Sequence, residues 1–287
     1  MPMLCLAGTF PITGTEPDGD SVRFRPADPA DWTKVPGAHQ VQTNATGAAQ
    51  LRADAIDALE THYTPTGGHT LHQPIGLAHD AAAELLKWIG FKNVTRDGEK
   101  VTAVGDDERP GYILTRGADK YGRCVALIGR GDPPVASGKS LMVGVTLLRK
   151  TANHHLLSTG LVYPTYYTNL YVDLRNELTK QVTAARKAAK GVFAGDRTQK
   201  GVNVKSLATL TDDAVILPKL FRRLTDYLHL NGDDPSLAGF ATFLSQQADE
   251  LWIIPTGQKT SFDTVVGVSG QTVKLKQLPE ELVFEEA

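Results

Sequence analysis

The sequence predicts an α+β protein, mainly β: a small β-barrel with helices packed on it, followed by a small α/β extension at the C-terminal end. Three observations lead there. Short runs alternating apolar and polar residues stand at 22–25, 50–56, 111–116 and 123–128, each bounded by turn-forming residues. Two longer segments, 74–89 and about 170–191, repeat apolar residues at helical spacing. Beyond 197 the character changes to two shorter helical patterns and two strand-like pieces.

The elements follow in order. The 22–25 strand comes after an Asp-Gly turn at 18–19. Residues 26–48, rich in Pro, Asp, Gly and Thr, read as a long surface loop, and 50–56 as the next strand. A second loop covers 61–72. Leu77, Ala81, Leu85 and Ile89 then recur every four residues, between Pro74 at a first helical turn and Gly90 as a stop. The strands 111–116 and 123–128 are joined by a turn-rich GADKYG link. In the second helix Leu170, Leu174, Leu178, Val182, Ala185 and Ala189 form one stripe, and Arg186, Lys187 and Lys190 suit its C-terminal dipole. The segment GDRTQKG is a linker candidate, dividing a main domain (1–197) from an extension (198–287). The extension holds a helix over 218–230, a second over 235–251 capped by Asp234, and strand-like pieces at 264–268 and 272–275.

A formal charge of −2 averages an extension of −4 and a main domain of +2. Affinity driven by bulk charge is excluded, and a local basic cleft is not. Cys5 and Cys124 are too few for a disulfide framework or a cysteine zinc site, and Cys124, inside CVALI, reads as a buried thiol. The start MPMLCLAGTF lacks a basic n-region, and Pro11 and Gly14 break its apolar run, so no signal peptide is expected. No stretch approaches the roughly 20 apolar residues of a membrane span. The expected setting is cytoplasmic, with no membrane partner.

The chemistry lies in PDGDSVRF (17–24), LRADAIDALE (51–60) and DKYGR (119–123). Asp20 and Asp57 offer two carboxylates from neighbouring strand ends, the oxygen ligands that a calcium ion takes. Glu60, three residues after Asp57, can orient or deprotonate a water. Arg52 and Arg123 can grip phosphate from two sides, because a guanidinium binds two phosphate oxygens at once.

As a set these segments resemble the staphylococcal nuclease (thermonuclease) family, whose pattern is a DGDT-type turn, then R-x-x-x-x-D-x-P-E, then D-K-Y-G-R. Here they stand as Asp18-Gly19-Asp20-Ser21, as Arg52 through Asp57 to Glu60, and as Asp119-Lys120-Tyr121-Gly122-Arg123. A later patch, Ser158-Thr-Gly-Leu-Val followed by aromatic residues and Leu174-Arg175, is similar to the family's lead into its last helix. The resemblance covers roughly residues 3–195. It implies a five-stranded OB-fold barrel and calcium-dependent hydrolysis of DNA, RNA or both, leaving 3′-phosphate ends, with single-stranded or locally melted substrate favoured. Asp20, Asp57 and the backbone carbonyl of Ala58 take the metal positions, with Asp18 behind them. Glu60 takes the water-orienting position, Arg52 and Arg123 the phosphate positions. Lys120 and Tyr121 would lie near the nucleotide, and Tyr166 or Tyr167 would supply a stacking ring. Ala58 replaces the family's threonine and keeps the carbonyl. Leu59 replaces a proline, and the loops at 26–48 and 61–73 are longer than the family minimum.

The main alternative is an OB-fold module that holds single strands by charge and stacking without cutting. A further one is an extension that docks a protein partner. The histidines at 69, 72, 154 and 155 read as polar loop residues, not zinc ligands. Gly138-Lys139-Ser140 is no P-loop, because position 133 is proline. Arg222-Arg223, opposite the stripe Leu220, Phe221, Leu224 and Leu228, reads as the exposed face of a packed helix.

Overall fold

The structure, a computed structural model, describes residues 1–247 and 249–285. Five strands close a barrel. They are β1 (Pro2–Pro11), β2 (Arg23–Pro26), β3 (Ala49–Ala53), and, later in the chain, the strands Glu108–Ala118 and Cys124–Arg130. Between these lie β4 (Ile56–Ala58), helix α1 (Ile75–Ile89) and a small hairpin of β5 (Thr95–Asp97) and β6 (Lys100–Ala103), so the last two barrel strands are β7 and β8.

Around the barrel the order is β1-β2-β3-β8-β7 and back to β1. All neighbours are antiparallel except β3 and β8, which run parallel with Leu51 opposite Cys124 and Ala53 opposite Ala126. This is an OB-like closed barrel. Closure needs Gly8: a Cβ there would stand 2.1 Å from the Arg25 carbonyl oxygen, where β1 crosses from β7 to β2. The expected strands at 22–25, 111–116 and 123–128 are present, slightly longer or shifted. Strand β1 was hidden in the apolar opening run. Its Met3, Leu4, Cys5 and Leu6 are all buried, so alternation is lost.

Strand 50–56 proves to be two, β3 and β4, separated by a reversal at Ala55. After β8 come β9 (Lys139–Met142), which adds to β1, and short helix α2 (Val145–Leu148). Helix α3 (Ala152–Thr159), β10 (Val162–Pro164), β11 (Tyr166–Tyr167) and α4 (Val172–Lys187) follow. Helix α1 buries Ala81, Leu85 and Ile89 of the expected stripe, with Ala78 buried in place of the half-buried Leu77, and ends at Gly90. Asn153 of α3 is buried and carries the β3–β8 seam beyond its last pair. Its side chain accepts from the Ile128 N–H (2.9 Å) and donates to the carbonyls of Asp54 (2.8 Å) and Ala126 (3.1 Å).

In the linker candidate 195–201, Gly195, Arg197, Gln199 and Lys200 are exposed, and Asp196 and Thr198 turn inward. Asp196 accepts from Tyr163 and Arg186, which cover it. The extension contributes β12 (Val202–Asn203), α5 (Pro218–Leu230), α6 (Phe240–Ser245), β13 (Glu250–Ile253), β14 (Gln258–Ser261), α7 (Phe262–Val265), β15 (Val266–Ser269), β16 (Thr272–Leu275) and β17 (Leu282–Phe284). Helix α5 matches its expected bounds. The helix expected over 235–251 is only α6, since 250–253 alternates in burial and pairs with β14 and β17 (residue 248 lies outside the described residues). Asp234 caps no helix; it accepts from Ser236 N–H in a turn. The piece at 264–268 begins as α7 and becomes a strand only at Val266. Strand β17 lies parallel to β11, so chain from both sides of 197/198 shares one sheet, and the buried apolar residues form one continuous cluster. Among the described residues no helix is long and apolar enough to cross a membrane.

Candidate active site

The site is assembled where the 18–20 turn, the β3–β4 reversal and the β7–β8 hairpin meet. Gly19 sets how closely the first two approach. A Cβ on it would lie 2.6 Å from the methyl carbons of both Ala58 and Ala81, so only glycine lets the acidic turn pack between β4 and α1. The turn is tied by Asp20 N–H to Asp18 Oδ1 (3.1 Å), by Ala53 N–H to the Asp20 carbonyl (2.7 Å) and by Ala58 N–H to Asp20 Oδ2 (3.3 Å). The β3–β4 reversal passes through Ala55 at φ 67°, a left-handed conformation that costs energy for alanine and places strain between Arg52 and Asp57.

Arg52, on β3, reaches over this reversal. Its Nη2 donates to Asp57 Oδ1 at 3.1 Å, and Nη1 lies 3.8 Å from Asp20 Oδ2. Asp57 is completely buried and Leu59 beside it is equally so, which anchors the segment that aims Glu60 without the proline of the pattern. Gln73 fixes Glu60 further: its N–H donates to the Glu60 carbonyl (2.8 Å), its side-chain oxygen accepts from Glu60 N–H (3.3 Å), and its amide donates to the Ile216 carbonyl of the extension (2.9 Å).

Arg123 lines the same cleft, immediately before β8. Its Nε donates to Asp119 Oδ2 at 2.7 Å, and its guanidinium carbon is 5.6 Å from the centre of the Tyr121 ring. Lys120 Nζ lies 5.5 Å from the same ring. Tyr121 is 65% exposed, a bare aromatic face at the cleft edge. The cleft has a volume of about 1200 Å³ and is lined by Asp18, Asp20, Arg52, Glu60, Lys120, Tyr121, Arg123 and Tyr167. The structure thus brings together most of the residues singled out in the sequence. Asp57 and Ala58 lie buried directly behind the lining. Tyr166 does not join them. It is fully buried with its hydroxyl against Thr179 (3.1 Å), so of the two candidates Tyr167 faces the cleft. The loop at 26–48 forms part of the wall through Gly37, Ala38 and His39, and Gln42 N–H ties it to the Gly122 carbonyl (2.9 Å).

One group of the candidate site escaped sequence reasoning. Arg222 of α5 is not on an exposed face. Its Nη2 donates to Asp57 Oδ2 (2.9 Å), and its Nη1 to Asp57 Oδ1 (3.2 Å) and to Glu60 Oε1. Lys219 and Arg223, on the same helix, also line the cleft and share Asp249, and Tyr63 donates to Asp226 of α5 (2.6 Å). Nothing in the local sequence marks Arg222, since the contact spans 165 residues. His154 and His155, expected in a loop, lie on α3 and bond Glu177 and Glu84.

The charges settle unevenly. Burial, then the neighbouring Asp18, pushes the Asp20 carboxyl up to about 8, with Arg52 opposing. Burial with Glu60 close by also raises Asp18. Burial raises Glu60 despite Arg222. Asp57 goes the other way: burial opposes its charge, but the Arg222 and Arg52 guanidiniums overcome it and hold the carboxyl below its ordinary range.

Two carboxyls short of countercharge, with a third beside them, are hard oxygen donors of the kind calcium takes, and that chemistry fits a cation site at Asp20, Asp57 and the Ala58 carbonyl. The packing qualifies the fit. Among the described residues no three acidic, histidine or cysteine groups converge as a ready cation cage, and Arg222 spans both oxygens of Asp57. No protein-family model matches the sequence, and comparison with curated proteins finds no match.

Proposed function

We propose that this chain is a calcium-dependent nuclease that hydrolyses phosphodiester bonds of single-stranded or locally melted nucleic acid, leaving 3′-phosphate ends. The observation that carries the reading is the meeting of Arg52, Arg123, Asp20 and Glu60 on one cleft at the end of an OB-like barrel, with Asp57 behind. Arg52 and Arg123 both line the cleft, and guanidiniums there would suit the oxygens of one phosphate and stabilise charge as it builds up. Glu60, whose carboxyl burial raises above its ordinary range, suits the task of orienting a water and taking its proton. Tyr121 and Tyr167 offer faces for bases on either side of the scissile phosphate. Asp20, Asp57 and the Ala58 carbonyl would hold the calcium, with Asp18 behind them. When bound, it supplies positive charge to the phosphoryl oxygen and acidifies water.

The second reading, a module that binds single strands without cutting, is favoured by one observation, the Arg222 guanidinium lying on Asp57 and Glu60. Incubation of the full chain with denatured DNA and calcium, against a chelator, separates the two. The nuclease reading expects cleavage with calcium only, reduced roughly 100-fold or more in Glu60→Gln and Arg123→Ala. Binding without cleavage supports the module, and full activity in both variants overturns the assigned roles.

A further inference from the structure

Asp57, one of the carboxylates assigned to the cation, is already committed to another positive group. Asp57 Oδ1 receives Arg52 at 3.1 Å and Arg222 at 3.2 Å, its Oδ2 receives Arg222 at 2.9 Å, and the same guanidinium bonds Glu60. A calcium ion bonds carboxylate oxygen at about 2.3–2.6 Å. At that distance from Asp57 it would stand against the N–H groups of Arg222, which carry like charge. Both cannot hold Asp57 in the same geometry.

The helix that bears Arg222 is firmly seated. Leu220, Phe221, Leu224 and Leu228 are buried to within 1% of complete, and Tyr63 bonds Asp226 on the same helix. The side chain itself is freer, with 22% of its surface exposed on a wide cleft. Arginine carries long-chain rotamer freedom, so release is a swing of one side chain with the helix in place.

We propose that Arg222 is a built-in competitor of the cation: the guanidinium and a divalent cation hold Asp57 in alternation, and cation uptake turns Arg222 out into the cleft and off Glu60. The inference rests on the calcium reading above and adds a control to it. The extension is then part of the site: it keeps the acids neutralised until calcium arrives. The chain's own arginine, and not an empty shell of carboxylates, sets how much calcium is needed.

The test is calorimetric titration of calcium into the full chain, as wild type, Arg222→Gln and Arg222→Lys. Removal of the competitor is expected to tighten calcium binding at least ten-fold in Arg222→Gln. Arg222→Lys, which keeps the charge but not the two-pronged grip, is expected between the two. The calcium-induced rise in Tm should likewise be larger in Arg222→Gln than in wild type. Equal or weaker binding in Arg222→Gln overturns the competition and leaves the calcium reading standing. No calcium binding by any of the three overturns both. Should Arg222→Gln fail to fold without calcium, the lysine variant decides: affinity equal to or below wild type overturns the proposal.

Discussion

Asn153 gives the sharpest test of how this barrel holds its site. Its carboxamide bonds three backbone groups, but the three are not equally dependent on it. The Ala126 carbonyl also receives Asp54 N–H at 2.8 Å and stays satisfied without Asn153. The Ile128 N–H and the Asp54 carbonyl are bonded by this carboxamide in the interior seam. Asn153→Ala therefore takes the acceptor from the buried Ile128 N–H, at about 1–3 kcal/mol. Against a typical total of about 5–15 kcal/mol this is severe. In urea the midpoint should fall with the slope unchanged. Asn153→Asp, which keeps an acceptor for Ile128 but loses the donor and buries a charge, should do no better at neutral pH. The Asp54 carbonyl lies three residues before Asp57, so the alanine variant should also bind calcium more weakly. A stability loss below about 1 kcal/mol would refute the reasoning, because it would mean that water or a relaxed strand replaces the amide.

Further consequences are open to measurement. Gly19→Ala forces a methyl against two rigid alanine carbons 2.6 Å away, and should cost about 1–3 kcal/mol in thermal unfolding. An unchanged Tm with intact calcium binding would show that the turn has room to move. Glu177 is held down to about 2, chiefly by Arg149, with burial opposing and His154 assisting. A carboxyl lowered in the folded state stabilises fully above its ordinary value of 4.5, and that stability is lost as pH falls toward 2. The difference in unfolding midpoint between wild type and Glu177→Gln should be constant above pH ~5 and shrink in acid; a difference independent of pH contradicts it. Tyr121→Ala should weaken single-strand binding by about 1–3 kcal/mol at unchanged stability. Tyr166→Phe, deep in the core, should leave binding untouched, so equal binding losses in the two would reverse the assignment of the cleft edge.

Much of the candidate site's geometry was legible because its residues lie close together in the chain. Arg52, Asp57 and Glu60 fall within nine residues, and a strand, a reversal and a short strand can bring their side chains to one place by local geometry. Helices α1 and α5 were legible because each buries one stripe, and the stripe is a repeating pattern. Strand β1 and the helix expected over 235–251 were not. A strand covered on both faces loses its alternation, and a segment such as 250–253 takes the conformation of whichever neighbours it pairs with.

The sequence by itself determined the acids, the two arginines, the order in which they come and the barrel class that carries them, since turn chemistry and periodicity are properties of neighbouring residues. Only the tertiary structure decided which tyrosine reaches the cleft, how burial divides the four acids, and that a third arginine sits on two of them. Tyr166 and Tyr167 are adjacent in sequence and point to opposite sides of one short strand. Burial depends on what the whole chain places overhead. Arg222 meets Asp57 across 165 residues, and a contact between charges that far apart in sequence is created by packing alone.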